Sequence, residues 1–283
     1  MTPAQDGWLP RVGIPANRAP DGAVDCHHHV YDPRFATVPD AAYRPGVATA
    51  EDYRAFRDRL GFAASVVIQP SIYGFDNACT IDAVRRLGAA RAVAVISGDE
   101  SAAALRALGE AGTVGLRLQA SGATRANLSR LELLARRASE QGWHLQLHLD
   151  ADLIVDAAAR LAALDVDLVF DHFGRIPHPD GAAHPAFRAI ADRVARGRTW
   201  VKLSAGYHFT RTGGPDYADI GALTRAFLAL APERMLWGTD WPHPTEAVKP
   251  DVSVLFDRLV EWAGPGIARQ VLVDNPRALY RFA

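Results

Sequence analysis

The feature that most constrains the fold of this chain is a repeated alternation between short apolar runs and longer amphipathic stretches. The apolar runs are rich in Val, Leu and Ile, and several are apolar throughout, which is typical of parallel strands buried on both faces. Eight runs are predicted as strands: Ala23–Asp25, Ser65–Gln69, Ala92–Ile96, Val114–Leu118, His144–Leu149, Leu168–Phe170, Trp200–Leu203 and Met235–Gly238.

Stretches with a helical period separate these runs. Leu131, Leu134 and Ala138, for example, recur at spacings of three and four residues, which is the period of a helix with one apolar face. The clearest predicted helices are Ser101–Ala111, Arg125–Glu140, Leu153–Leu164 and Phe187–Arg196.

Eight strand–helix alternations predict the α/β class and, within it, a single (β/α)8 TIM barrel. We place the barrel at residues 23–283, after an irregular N-terminal segment at residues 1–22. The alternative is an open doubly wound sheet, but the Gly-rich dinucleotide loop that would favour it does not follow the first strand. A long proline-containing loop, Tyr31–Thr49, follows that strand instead. In a barrel, this loop would lie at the face where active sites are built.

Composition and charge exclude several classes of protein. The net charge of −1 and the pI of about 6.8 remove the electrostatic reason to expect nucleic-acid or membrane partners. No apolar run approaches the roughly 20 residues of a membrane helix, and the first 20 residues lack the pattern of a signal peptide. Cys26 and Cys79 cannot form a disulfide scaffold and are interpreted as small buried hydrophobic groups. We therefore expect a cytoplasmic enzyme, either monomeric or homo-oligomeric.

Polar side chains recur inside or at the ends of five predicted strands. His27 and His29 follow the first strand and, because strand side chains alternate, point to the same side. A buried polar group without a partner costs about 1–3 kcal/mol, so one shared site explains the recurrence better than five separate ones. The other members of this set are Arg117, His148, His172 and Asp240.

The remaining histidines have a simpler interpretation. His144 shares a face with His148 but is expected to pack lower in the barrel. Four further histidines follow strands in loops and are predicted to be solvated: His178, His184, His208 and His243.

These motifs together resemble the amidohydrolase superfamily. The resemblance rests on the His27-x-His29 pair, on Asp171-His172 and on the segment Trp237–Pro242. More narrowly, the segment Gln69–Asn77 is similar to the lactonase branch typified by 2-pyrone-4,6-dicarboxylate lactonase. The likeness runs nearly end to end, and it implies an amidohydrolase-like TIM barrel that opens a cyclic ester of a small carboxylated substrate.

The resemblance also implies roles for individual residues. Asp240 would be the general base that takes a proton from water, and His27, His29 and His172 would polarise the carbonyl and hold the oxyanion. Residues implied to bind the substrate are Arg117, as a two-pronged carboxylate clamp, together with Ser71, Tyr73, Asn77 and Arg211.

At strand five the chain departs from the pyrone lactonase, which works without metal and has a tyrosine where this chain has His148. With His148, the set His27, His29, His172 and Asp240 matches a mononuclear metal site of the wider superfamily, and imidazole with carboxylate suits zinc. Such an ion would lower the pKa of bound water. The sequence leaves both the one-metal and the metal-free mechanism open.

Three alternatives to a lactone hydrolase remain at this point. A metal-dependent decarboxylase of the same superfamily would share the histidines and the final aspartate. A lactone isomerase would use the same scaffold. The third alternative is a non-enzymatic protein that binds a small molecule. Asp240→Asn would leave its ligand affinity unchanged, whereas in an enzyme the same substitution would abolish turnover.

Overall fold

The computed structural model describes residues 9–10, 12–177 and 180–282. Eight strands form one sheet in chain order, and every neighbouring pair is parallel. The strands are β1 (Val24–His28), β2 (Ala64–Ile68), β3 (Ala90–Ala94), β4 (Thr113–Ala120), β5 (His144–Leu149), β6 (Leu168–Phe170), β7 (Thr199–Lys202) and β8 (Met235–Leu236).

Backbone hydrogen bonds between the β8 region and β1 close the sheet into a barrel. The Cys26 N–H donates to the carbonyl of Trp237 (3.0 Å), and the Asp240 N–H donates to the carbonyl of His27 (2.8 Å). A Cβ atom on Gly238 would lie 2.5 Å from the backbone nitrogen of His27, so only glycine fits at this contact between the β8 region and β1. The predicted (β/α)8 barrel is confirmed, and the open sheet is wrong.

Helices cover the outside of the barrel. They are α1 (Ala50–Leu60), α2 (Ala78–Leu87), α3 (Ala102–Glu110), α4 (Leu131–Glu140), α5 (Ala151–Asp156), α6 (Ala158–Ala163), α7 (Pro185–Val194), α8 (Ala218–Leu230), α9 (Val252–Arg269) and α10 (Asn275–Tyr280). None of the described helices has the length and apolarity needed to cross a membrane.

Two predicted helices differ in detail from the structure. The predicted helix Arg125–Glu140 starts as a 3-10 segment, Gly122–Arg130, before α4. The predicted helix Leu153–Leu164 is divided at Ala157 into α5 and α6. In both places the apolar period continues through the irregularity, so the period alone could not locate the break.

The strands are buried on both faces, as their apolar composition predicts. Every residue of β1, β2 and β6 is buried, and Cys26 and Cys79 are free and buried. Charged side chains are nevertheless buried with them: Lys202 and Asp171 are 0% exposed, and Arg117 is 5% exposed. Because burying an unpaired charge is very costly, these groups must compensate one another, and they do so beneath the mouth of the barrel.

Candidate active site

Polar side chains from several strand ends line a cavity of about 370 Å³ at the C-terminal mouth of the barrel. His27 and His29 point to the same side of the first strand and its extension, whereas the ring of His28 stacks on that of Tyr53, with centroids 3.4 Å apart. Asp240 follows β8 with φ at +59°. This is a backbone region that non-glycine residues rarely adopt and that is concentrated at functional sites.

Three imidazoles converge on one carboxylate oxygen. Oδ1 of Asp240 lies 3.5 Å from Nε2 of His27, 3.7 Å from Nε2 of His29 and 3.8 Å from Nε2 of His172. The Nε2 atoms of His27 and His29 are 3.3 Å apart. We call these four residues the central cluster.

A hydrogen bond on the far side of the ring fixes the tautomer of His29. Nδ1 of His29 lies 2.8 Å from the carbonyl oxygen of Ile68, which can only accept, so Nδ1 carries the proton. Nδ1 of His27 lies 3.3 Å from both Oδ1 of Asp171 and Nζ of Lys202. Burial lowers the pKa of His27 to about 3 and that of His29 to about 4. Both rings are therefore neutral near pH 7, and the Nε2 lone pair of His29 is directed into the central cluster.

Asp240 is ionised within this cluster. Burial by itself would raise the pKa of Asp240, but His172, a hydrogen bond from His208 and the nearby His27 hold it well below the usual value for an aspartate. The hydroxyl of Tyr207 donates to Oδ2 of Asp240, which leaves Oδ1 facing the imidazoles. The carboxylate is thus oriented and available to take a proton.

The spacing of the candidate ligand atoms in the central cluster fits a bound cation. Nε2 of His27, Nε2 of His29 and one carboxylate oxygen of Asp240 face one another at 3.3–3.7 Å. Ligand atoms around tetrahedral zinc, bonded at about 2.0–2.1 Å, are separated by about 3.3 Å. His27, His172 and Asp240 also offer ligand atoms that all lie within 4.8 Å of one another. Residues of the central cluster therefore fit one divalent metal ion.

Beneath the central cluster, Asp171 is the hub of a buried charge network. Its Oδ2 accepts from Nε and Nη2 of Arg117 at 3.1 and 3.0 Å and from Gln146 at 3.1 Å. The ammonium of Lys202 lies 3.6 Å from Oδ1 of Asp171 and donates to Gln146 at 2.6 Å. This network fixes Nδ1 of His27 from below, which is how outer partners orient a ligating histidine.

Comparison with known proteins assigns the chain to a family. The sequence profile described as amidohydrolase matches residues 24–282. The chain belongs to the amidohydrolase family. The family resemblance inferred from the histidine and aspartate motifs is thereby confirmed.

Individual relatives match over almost the whole chain. This amidohydrolase is 33% identical over 271 residues to D-galactarolactone isomerase of Agrobacterium fabrum, covering 93% of this chain and 92% of the relative. It is 32% identical over 294 residues to 2-pyrone-4,6-dicarboxylate hydrolase of Comamonas testosteroni, covering 99% and 96%. A crystal structure of an Agrobacterium tumefaciens protein matches with a TM-score of 0.88 at 32% identity, covering 95% and 99%.

His148 lies beside the cluster but not within it. Its Nδ1 is 3.1 Å from Nη2 of Arg117, and its Nε2 is 3.2 Å from Nη1 of Arg175. His148, Asp171 and His172 do offer ligand atoms within 4.8 Å of one another, but the Arg117 guanidinium already donates to Asp171 there. Both ring nitrogens of His148 therefore face guanidinium groups rather than the central cluster.

The predicted substrate-binding residues of this amidohydrolase separate into two groups. Ser71 and Arg117 line the cavity, whereas Tyr73, Asn77 and Arg211 lie outside it. The Tyr73 hydroxyl binds backbone groups in the loop after β1, and Asn77 binds the backbone after β3. Arg211 is exposed in the loop after β7. The structure therefore does not bring these three side chains to the cavity.

Several residues of the site were missed or misplaced by sequence reasoning. His243 is 0% exposed and binds the Tyr207 hydroxyl at 2.9 Å, so its prediction as a solvated loop histidine is wrong. His208 keeps some exposure but lines the cavity together with Tyr43 and Arg175. These residues lie in loops, where no period signals a side-chain direction.

His184 and His144 lie away from the cavity. His184 caps the start of α7, where its Nδ1 accepts from the N–H of Ala186. His178 lies outside the described residues. His144 packs low in the barrel, against the ring of Tyr280 and next to Gly115, as expected.

Proposed function

We propose that this amidohydrolase hydrolyses the ester bond of a small carboxylated lactone, with Asp240 as general base. The observation that carries the proposal is the ionised Asp240 carboxylate, which faces three imidazoles at 3.5–3.8 Å in a cavity open to solvent. A base beside a group of side chains that fits one divalent ion is an arrangement suited to acyl transfer to water. The named activity of the Comamonas relative supports the same reaction class.

Asp240 carries the proton through both halves of the reaction. It takes a proton from the attacking water as the new carbon–oxygen bond forms at the lactone carbonyl. His27, His29 and His172 would hold the divalent ion proposed below, which would supply positive charge at the carbonyl oxygen as that oxygen gains negative charge. When the ring carbon–oxygen bond breaks, Asp240 returns the proton to the departing alkoxide, and the product is a hydroxy acid. Tyr207 stays on Oδ2 throughout and keeps the carboxylate in position.

We propose one divalent ion, zinc, held by His27, His29, His172 and Asp240. The support is the close spacing of the candidate ligand atoms in the central cluster and the preference of imidazole for zinc. When bound, such an ion polarises the carbonyl and lowers the pKa of water.

Elemental analysis of protein purified without a metal-affinity column tests the ion. We expect about one equivalent of zinc in the wild type and an unchanged content in His148→Ala, since His148 lies outside the cluster. Less than about a tenth of an equivalent, with activity that survives chelation, would establish the metal-free mechanism instead.

Lactone isomerisation is the second candidate, because the Agrobacterium fabrum relative bears that name at 33% identity. The same base would then deprotonate a hydroxyl of the substrate in place of water. Turnover in ¹⁸O-water separates the two reactions, because only hydrolysis places one labelled oxygen in the product carboxylate and releases acid.

The test of the main proposal is a panel of carboxylated pyrones, muconolactones and sugar lactones, assayed by pH-stat with and without zinc. Asp240→Asn keeps the shape of the side chain but removes the base, so we expect kcat to fall by roughly 10²–10⁴. Asp82→Asn, which breaks two ion pairs outside the cavity, with Arg34 and Arg86, is the matched control and should retain wild-type activity. Near-wild-type turnover by Asp240→Asn would refute the assignment of the base.

A further inference from the structure

His243 is a buried histidine close to the central cluster that the proposed mechanism does not use. It follows Asp240 by three residues and is 0% exposed. Its backbone N–H donates to the carbonyl of Asp240 at 3.0 Å, and the two residues have φ at +57° and +59°. Non-glycine residues rarely adopt this region, and such residues are concentrated at functional sites. The turn between Asp240 and His243 brings both side chains to one hydroxyl group, that of Tyr207.

The Tyr207 hydroxyl lies between a carboxylate and an imidazole. It contacts Oδ2 of Asp240 and lies 2.9 Å from Nδ1 of His243. A tyrosine hydroxyl has one hydrogen to donate, and its oxygen can accept. Because Asp240 is ionised, its oxygens can only accept. The single hydrogen of Tyr207 therefore goes to Oδ2, and the hydroxyl oxygen is left to accept a hydrogen from Nδ1 of His243.

The same count of donors and acceptors fixes the tautomer of His243. Burial lowers the pKa of His243 to about 3, so near pH 7 the ring carries one hydrogen. With that hydrogen on Nε2, Nδ1 of His243 and Oδ2 of Asp240 would compete for the one hydrogen of Tyr207. The Nε2–H would also be a buried donor without an acceptor within the part of the chain that the structure describes. With the hydrogen on Nδ1, only the Nε2 lone pair lacks a partner there, so this tautomer leaves fewer groups unsatisfied.

This arrangement decides which oxygen of Asp240 faces the cavity. Oδ2 accepts from Tyr207 and lies 3.8 Å from Nε2 of His208, whereas Oδ1 faces the three imidazoles of the central cluster at 3.5–3.8 Å. If the hydroxyl hydrogen of Tyr207 turned toward His243 instead, an oxygen lone pair would face Oδ2. The repulsion between the two oxygens would turn the carboxylate away from its position.

We propose that His243 is a positioning residue for the general base, because its Nδ1–H directs the Tyr207 hydroxyl hydrogen to Oδ2 of Asp240 and so keeps Oδ1 toward the central cluster. We call His243, Tyr207 and Asp240 the positioning chain. The role of Asp240 as base rests on the proposed function. Among the described residues, those that line the cavity include Asp240 but neither Tyr207 nor His243. The two outer members of the chain therefore act through Asp240 and not by touching the substrate.

The tautomer of His243 can be measured without any turnover. Long-range ¹H–¹⁵N correlation spectra of wild-type protein labelled with ¹⁵N-histidine at pH 7 distinguish a hydrogen on Nδ1 from one on Nε2. The signals of His243 are those that are missing from the spectrum of His243→Asn. We expect the hydrogen on Nδ1. A hydrogen on Nε2, with Nδ1 unprotonated, would overturn the proposal.

Steady-state kinetics on whichever lactone is turned over test the effect on the base. His243→Leu fills a similar space without a donor, and we expect kcat to fall by about 10- to 100-fold, the usual effect of losing an outer hydrogen-bond partner. KM should stay within about twofold of the wild type, because the substrate contacts are unchanged. His243→Asn places an amide N–H where Nδ1 lies and should restore most of the lost kcat. Equal kcat in the wild type and His243→Leu would contradict the positioning role.

A double-mutant cycle shows whether His243 acts through Tyr207. Tyr207→Phe removes the hydroxyl, so adding His243→Leu to it should lower kcat no further, since residues that act in one hydrogen-bonded chain are not additive. Independent, multiplicative losses in the double variant would overturn the proposal. Absence of wild-type turnover on every lactone would refute the proposed function instead, and the tautomer of His243 would still decide the direction of the hydrogen bonds in the positioning chain.

Discussion

Replacing Asp171 with asparagine would test the buried charge network that supports the site. The substitution keeps the shape of the side chain but removes the only carboxylate that touches Arg117 and Lys202 within the described residues, at 3.0 and 3.6 Å. Burial by itself would raise the pKa of Asp171, but His27, Arg117 and Lys202 hold it well below its usual value. The wild-type carboxylate is therefore charged, and asparagine would leave two buried cations without their counterion.

The expected loss of stability is large. Removing one partner of a buried ion pair costs about 3–5 kcal/mol, because the remaining charge stays buried without compensation. Urea denaturation would measure the free energy of unfolding of Asp171→Asn at pH 7. The matched control is Asp167→Asn, which breaks an exposed pair with Arg198 at 2.7 Å and should cost at most about 1 kcal/mol.

The loss should also depend on pH in a defined direction. Burial lowers the pKa of Lys202 to about 8, and Asp171 opposes part of that shift, so Asp171→Asn lowers the folded-state pKa further. At pH 7 the wild-type Lys202 is mostly charged beside Asp171, whereas in Asp171→Asn it must either stay charged without a counterion or lose its proton, and both cost free energy. Above about pH 8 the wild-type lysine is neutral as well. The part of the stability loss in Asp171→Asn that comes from Lys202 should therefore vanish by about pH 9. A loss below about 1 kcal/mol at pH 7 would refute this account of the network.

Two further predictions concern Gly238, at the contact between the β8 region and β1, and the imidazoles of His27 and His29. Gly238→Ala should destabilise the protein by about 1–3 kcal/mol, because its Cβ would lie 2.5 Å from the backbone nitrogen of His27. An unchanged midpoint of urea denaturation would contradict this close approach. Burial lowers the pKa of His27 to about 3 and that of His29 to about 4 from 6.5, so their contribution to stability is complete above pH 6.5 and is lost as the pH falls toward 4. Urea denaturation of protein treated with a chelator should show the free energy of unfolding falling by up to about 1.4 kcal/mol per pH unit for each histidine. A free energy of unfolding that stays constant between pH 7 and pH 5 would contradict the buried neutral state of these two histidines.

The sequence determined the barrel and the centre of the candidate site. Two predicted strands, His144–Leu149 and Leu168–Phe170, coincide with β5 and β6, because short apolar runs in a chain of strand–helix repeats have few other uses. The period of two residues places His27 and His29 on one side. Parallel strands then bring their C-terminal ends to one edge whatever their separation along the chain, so Asp240 meets these histidines.

The tertiary structure alone decided what surrounds that centre. Sequence reasoning placed His148 with the metal ligands and gave Arg117 to the substrate, whereas the fold pairs Arg117 with Asp171 and places His148 between two guanidiniums. It likewise buries His243 against Tyr207. Strand periodicity fixes which way a side chain points, but its hydrogen-bond partner is set by loops and neighbouring strands whose conformations depend on long-range packing, and no local pattern in the sequence encodes that choice.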